Sequence, residues 1–152
     1  MATIKSFKDL EIWQLANDLE QRVYIQLQKG ILSKDYELKN QMLRSSGSIM
    51  DNIAEGFGRG GRLEFIQFLS ISAGSAAELQ SQLIRCLNRK HISKETFEEL
   101  NELANKVSNK IGAMIQYLNK SLIKGQKFNN RSVEGKKNIL NEPDVEYFLN
   151  LQ

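Results

Sequence analysis

Proline is almost missing from these 152 residues. Pro143 is its single occurrence, so nothing in the first 142 positions obliges a helix to break. Cysteine is as scarce: a lone Cys86 can form neither an internal disulfide nor a cysteine metal site, and is expected to be a small buried apolar residue on a helix. The one histidine, His91, falls between two expected helices, where it suits the dipole of a helix C-terminus. A nucleophile and base therefore have little to be assembled from, and no catalytic residue is expected. No apolar run approaches the roughly 18 residues of a membrane span, and Met1-Ala2-Thr3-Ile4-Lys5 lacks the apolar centre of a secretion signal. A cytoplasmic protein is expected. No P-loop, CxxC pair or HExxH spacing occurs, and no cofactor or metal is implied.

What remains is helix-forming. Hydrophobic residues make up 41% and charged residues 26%, ordinary globular values, and the length fits one domain. Ile12, Ala16, Leu19, Val23 and Leu27 recur at steps of three and four, predicting a first helix from near Lys8 that Gly30 closes. Ser33 or Asp35 can cap a second helix, whose apolar face is Leu38, Met42, Ile49, Ile53 and Phe57. Beside that face run Ser45, Ser48, Asn52 and Gly56, a small and polar groove that admits another helix closely.

Gly56, Gly58, Gly60 and Gly61 then form a cluster, read as the sharp turn between the second helix and a third that resumes near Arg62. The third helix has two apolar stripes. Phe65, Leu69, Ser72, Ala76, Leu79 and Leu83 make one, and Ile66, Ala73, Ala77 and Ile84 make another that a solitary bundle has no use for. Self-association is the expected use of the surplus. Phe97, Leu100, Ala104, Val107, Ile111, Met114 and Leu118 carry a fourth helix, with Ser93 and Thr96 available for capping. The sequence therefore predicts an all-α, antiparallel up-down four-helix bundle over residues 5–122. Residues 123–152 are expected to be a partly flexible C-terminal tail, mobile or with a short docking helix around Val145, Phe148, Leu149 and Leu151.

Two sets of side chains are candidates for chemistry. Asp51 and Glu55 lie four apart, and Glu78 on the next helix offers a third carboxylate, which as a minor alternative is the raw material of a metal-dependent nuclease. Arg44, Ser48, Asp51, Glu55, Arg59 and Arg62 also line up at helical steps, so ion pairing is the preferred reading. The cations Arg44, Arg59, Arg62, Arg85, Arg89 and Lys90 are the candidate nucleic-acid contacts. A net charge of +3 permits an RNA partner without demanding one, and copies arranged by symmetry would bind through avidity.

Several separated segments carry a resemblance. Phe7 to Ala16, Gln41 to Arg44, Ser48-Ile49, Asn52 to Arg59, and Phe68-Leu69 through Gly74-Ser75 with Glu78-Leu79 closely resemble the bacterial four-helix-bundle proteins encoded in intervening sequences of large-subunit ribosomal RNA genes. That resemblance covers roughly residues 5 to 120. It implies an up-down bundle assembled as a homo-oligomeric ring, a pentamer, without enzymatic activity. It also implies kinship with the accessory protein of diversity-generating retroelements, which works with RNA and a reverse transcriptase. The expected function is thus a non-catalytic, RNA-associated oligomer, the alternative being a protein-interaction scaffold or reverse-transcriptase accessory protein. Where the family commonly has a basic residue before the Gly-Ser pair, this chain has Ala73.

The same motifs have expected structural jobs. Trp13 would anchor the first helix, its indole N–H donating to Asn52 or Glu55. Glu55 would accept from neighbouring amides or pair with Arg44, and so fix how the second helix meets the glycine turn at Gly56. Gly74 and Ser75, one turn before Glu78, would let helices cross closely.

Overall fold

Ser6 is where local chemistry first shapes the chain. Its hydroxyl accepts the Lys8 N–H, while the Asp9 carboxylate accepts the N–H groups of Lys5 and Ser6, both at 2.9 Å. These bonds close a capping box around a single 3-10 turn, Phe7–Asp9. The Lys5 amide, followed by that of Ser6, holds the Asp9 carboxyl below the usual carboxylate range. The computed structural model describes residues 4–124, with side chains through 120.

Four helices follow: α1 (Glu11–Leu27), α2 (Tyr36–Arg59), α3 (Arg62–Asn88) and α4 (Lys94–Lys124), with no strand among the described residues. The protein is an all-α four-helix bundle. Each helix packs mainly on two neighbours, α2 and α4 both lying between α1 and α3. The core is one apolar cluster in which Leu19, Val23, Leu38, Ile53, Phe65 and Ile111 are wholly buried. Every member of the fourth helix's expected stripe from Leu100 to Leu118 is buried, and the Thr96 N–H donates to Ser93 Oγ at 3.1 Å. Arg22 bridges Asp18 to Glu99, and Lys110 reaches Glu11 at 2.9 Å, so ion pairs tie α1 to α4 at two levels.

Three expectations are corrected. Helix α1 starts at Glu11 rather than near Lys8, because the capping box spends residues 6–9 on a 3-10 turn and Leu10 is extended. Gly30 does not close that helix, which ends at Leu27; it has φ +50° in the loop leading to a second 3-10 turn, Leu32–Lys34. The glycine cluster is not all turn either. Gly56 and Gly58 continue α2, and the reversal is made by Gly60, at φ +79°, and Gly61 alone. Gly56 has a different use: a Cβ there would meet Phe68 Cβ at 2.6 Å and the Phe65 ring at 3.0 Å. The two helices are that close. Helix α4 runs to Lys124, and the expected tail beyond it lies outside the described residues.

A polar seam joins α2 to α3 along the groove of small residues. Ser45 Oγ donates to Gln82 Oε1 at 2.5 Å, the Ser48 and Ser75 hydroxyls meet at 2.8 Å, and Ser72 Oγ donates to the Ile49 carbonyl at 2.7 Å. Asn52 Nδ2 completes the row by donating to both the carbonyl and the hydroxyl of Ser48. Each buried donor has found an acceptor, without which desolvation would cost about 1–3 kcal/mol per group. Cys86, buried beside this seam, donates to Met42 Sδ, and burial followed by the nearby Asp35 pushes its thiol up to about 11. Such a thiol is inert.

The outward face of α3 differs. Leu63, Ile66, Ser70, Ala73, Gly74, Ala77, Ser81 and Ile84 follow one another along it without a charged residue, and Leu63 and Ile84 are 65% and 49% exposed. A Cβ on Gly74 would meet nothing within 4 Å. Among the described residues Gly74 thus mediates no helix crossing, whereas Ser75 does.

Candidate nucleic-acid interface

The six candidate cations separate along the α2–α3 hairpin. Arg59 and Arg62 lie at its glycine turn, Arg85, Arg89 and Lys90 lie at its open end, and Arg44 sits exposed between. Since α2 has 24 residues at a rise of about 1.5 Å each, the two groups stand roughly 36 Å apart. One chain does not bring them together.

At the glycine turn the charge is engaged. Arg59 Nη2 donates to Glu55 Oε1 at 2.6 Å, and its guanidinium lies 5.4 Å from the centroid of the Phe68 ring. Glu55, by its hydrogen bond and then its charge, raises the Arg59 pKa further. Of the arginines on the ladder, Arg59 is thus the partner of Glu55, four residues bringing it to the same face, whereas Arg44 is half the helix away and does not pair with Glu55. Phe57 meets the Phe65 ring edge-on at 6.2 Å and fills the space beneath.

The open end is organised around one carboxylate. Asp35 caps α2 by accepting the Leu38 N–H on Oδ1, and its Oδ2 takes Arg89 Nη1 at 2.7 Å and His91 Nε2 at 2.8 Å. The bond from His91, then those from Arg89 and the Leu38 amide, hold the Asp35 carboxyl below its ordinary value against the opposing effect of burial. The His91 side chain is only 10% exposed, and its Nδ1 has no hydrogen-bond partner among the described residues. One turn further along, Arg85 donates to Gln41 Oε1 at 2.6 Å and comes within 3.9 Å of Glu37.

The α3 terminus explains where Lys90 points. The His91 N–H donates to the Cys86 carbonyl and the Lys90 N–H to the Leu87 carbonyl, the bond pair of a Schellman motif with Lys90 in its left-handed position. Lys90 has φ +57°, the only positive φ outside glycine among the described residues. A side chain there costs about 1 kcal/mol relative to glycine. The motif leaves Lys90 exposed at the rim beside the loop that carries Lys29 and Lys34, which are also exposed. None of the three has an ion pair within the described residues. Tyr36, in the first turn of α2, is 71% exposed, and Ile31 is 65% exposed.

Lys29, Lys34 and Tyr36 were not among the candidates read from the sequence, although Tyr36 falls off the stripe that Leu38 and Met42 begin, which is a readable sign. Other expectations find their places. No hydrogen bond joins Trp13 to Asn52 or Glu55; the indole packs against Phe7, ring centroids 5.1 Å apart. Glu78 accepts from Gln82 at 3.3 Å and Glu55 is paired, so the carboxylates weighed for a metal do not converge. Among the described residues no three His, Cys, Asp or Glu side chains stand close enough to hold an ion, and no helix is long and apolar enough to cross a membrane.

With this geometry in view, the likeness to known proteins takes on meaning. One solved structure that is similar to this chain is a protein of unknown function from the S23 ribosomal protein family of Bacteroides thetaiotaomicron. It has 24% sequence identity and a TM-score of 0.64, over 69% of this chain and 98% of its own. At that identity the likeness speaks to the fold. No curated protein matches the sequence. The family model described as 23S rRNA-intervening sequence protein, however, matches residues 8–113, from the capped 3-10 turn into the fourth helix. That span is well over half of the sequence, and the chain belongs to the family of 23S rRNA-intervening sequence proteins.

Proposed function

We propose that the chain is a non-catalytic subunit of a cytoplasmic homo-oligomer, a ring of five, that associates with RNA. The observation that carries the oligomer is the outward face of α3. From Leu63 to Ile84 it presents apolar and small side chains with no charge among them, whereas a face meant for water would be expected to carry lysines and glutamates. The open Gly74 lets a second helix come near the backbone. RNA association draws on the exposed cations at both hairpin ends and on the family's tie to ribosomal RNA genes. A ring multiplies a few cations into a surface.

Light scattering tests the assembly. Wild type is expected at a multiple of 17.4 kDa, and Ala77→Glu, at an exposed position, is expected as a monomer with unchanged helical circular dichroism. A monodisperse 17.4 kDa wild type at all concentrations would overturn the ring. Titration with structured RNA tests the partner, since affinity that falls steeply with salt reports neutralised phosphates. A flat titration rejects it. The alternative, a scaffold for a protein such as a reverse transcriptase, draws on Tyr24 and Ile25, each about half exposed on α1 and away from the α3 stripe.

A further inference from the structure

We infer that the open end of the α2–α3 hairpin, rather than the glycine turn, is the RNA-contacting surface, and that it takes an unpaired stretch of chain with a base stacked on Tyr36. This rests on the RNA reading above and assigns it a place and a substrate class. Four cations, Lys29, Lys34, Arg89 and Lys90, stand within a few residues of the Asp35–Arg89 contact that joins the two loops. Three of them have no ion pair among the described residues, in contrast to Arg59 at the other end. Tyr36 directly follows Asp35 in the chain and is the most exposed large apolar residue of the described chain.

Unpaired RNA fits better than a duplex. Stacking on a tyrosine needs a base released from its own helix, and the ring at this end is available to receive one. The cations fall in the two loops joined by the Asp35–Arg89 contact rather than along a helix face, and α4, which opens three residues after His91, carries Glu95, Glu98 and Glu99 in its opening turns. A rigid duplex would have to lie across those carboxylates. A flexible strand can pass beside them.

Lys90 strengthens the assignment. Its left-handed backbone favours glycine, yet the chain keeps a long cation there. The conflict between local propensity and side chain is what a functional position shows. It also supplies a clean test, because Lys90→Gly removes the charge while relieving the backbone.

The experiment is fluorescence anisotropy of the full chain with a labelled single-stranded RNA of about 12 uridines and, separately, a hairpin duplex of equal charge. Lys90→Gly is expected to bind the single strand several-fold more weakly, with a shallower salt dependence and a melting temperature equal to or above wild type. Tyr36→Ala is expected to weaken the single strand about tenfold at unchanged salt slope, in keeping with the loss of one stacked base, and to leave the duplex unaffected. Lys106→Ala, exposed on α4, should match wild type. Single-strand binding that both open-end variants leave intact, or a preference for the duplex, would overturn the inference while leaving RNA association standing. An acidic peptide that binds the surface while both RNAs fail to bind would overturn the two together.

Discussion

The two ends of the α2–α3 hairpin hold the same pair of helices by different physics. At the glycine turn the grip is steric: Gly56 lets the backbones close on Phe65 and Phe68, and Arg59 lies back over the Phe68 ring. At the open end it is electrostatic, with one carboxylate joining a helix cap, an arginine and a nearly buried histidine. Shape consumes its cation; charge leaves several over. A surface can recruit a partner only with groups its own fold has not used, and the open end has them.

The contrast can be tested from its strongest effect downward. Gly56→Val should cost about 3 kcal/mol, the upper end of what overpacking a tight contact does, read as a lowered urea midpoint. Gly58→Ala, two residues on in the same helix but facing open space, should instead stabilise by about 0.5–1 kcal/mol. If both glycines behaved alike, the steric account would fail.

Asp35→Ala removes the cap and strands the His91 Nε2. It should cost about 2 kcal/mol from the lost cap and the unpaired buried nitrogen together. Acid should produce part of the same loss. A carboxyl whose folded pKa is depressed contributes stability that is full above its unfolded value, near 4, and that disappears as pH falls through the lower folded value. The melting-temperature gap between wild type and Asp35→Asn should therefore be widest above about pH 5 and narrow below about pH 4. A gap that does not change with pH would remove charge from the explanation. Asp9, shifted in the same direction, is common to both proteins and cancels.

Arg59→Ala should have the smallest effect, a barely lowered urea midpoint, because an exposed pair and an exposed cation over a ring each contribute little. Equal losses from Arg59→Ala and Asp35→Ala would erase the distinction between the two ends.

Much of the bundle was legible because it follows from periodicity. The buried stripes of α2, α3 and α4 occupy the positions that steps of three and four predict, and Asp35 and Ser93 cap where their side chains allow. What periodicity does not report is which helix stands opposite. The glycines from 56 to 61 are alike as letters, and only the Phe65 and Phe68 side chains separate Gly56, which has no room for a Cβ, from Gly58, which has. The Asp35 centre was illegible for the same reason, its partners lying 54 and 56 residues away. Glu55 was ambiguous in another way: Arg44, Arg59 and Arg62 all stand on its helical ladder, and it is Arg59, four residues on, that takes it. Lys90 was legible as a cation but not as the left-handed residue of the α3 terminus, since that place is ordinarily marked by a glycine.

The row of hydroxyls and amides between α2 and α3 has one more consequence. Methyl groups slide past one another at little cost, but Ser45, Ser48 and Ser72 each face a single acceptor or hydroxyl on the other helix. Shifting the hairpin by a turn would break all three of these cross-helix bonds at once. The bundle is thereby committed to one alignment of its central pair, and any neighbour docking on the outside of α3 meets a backbone whose height is already decided.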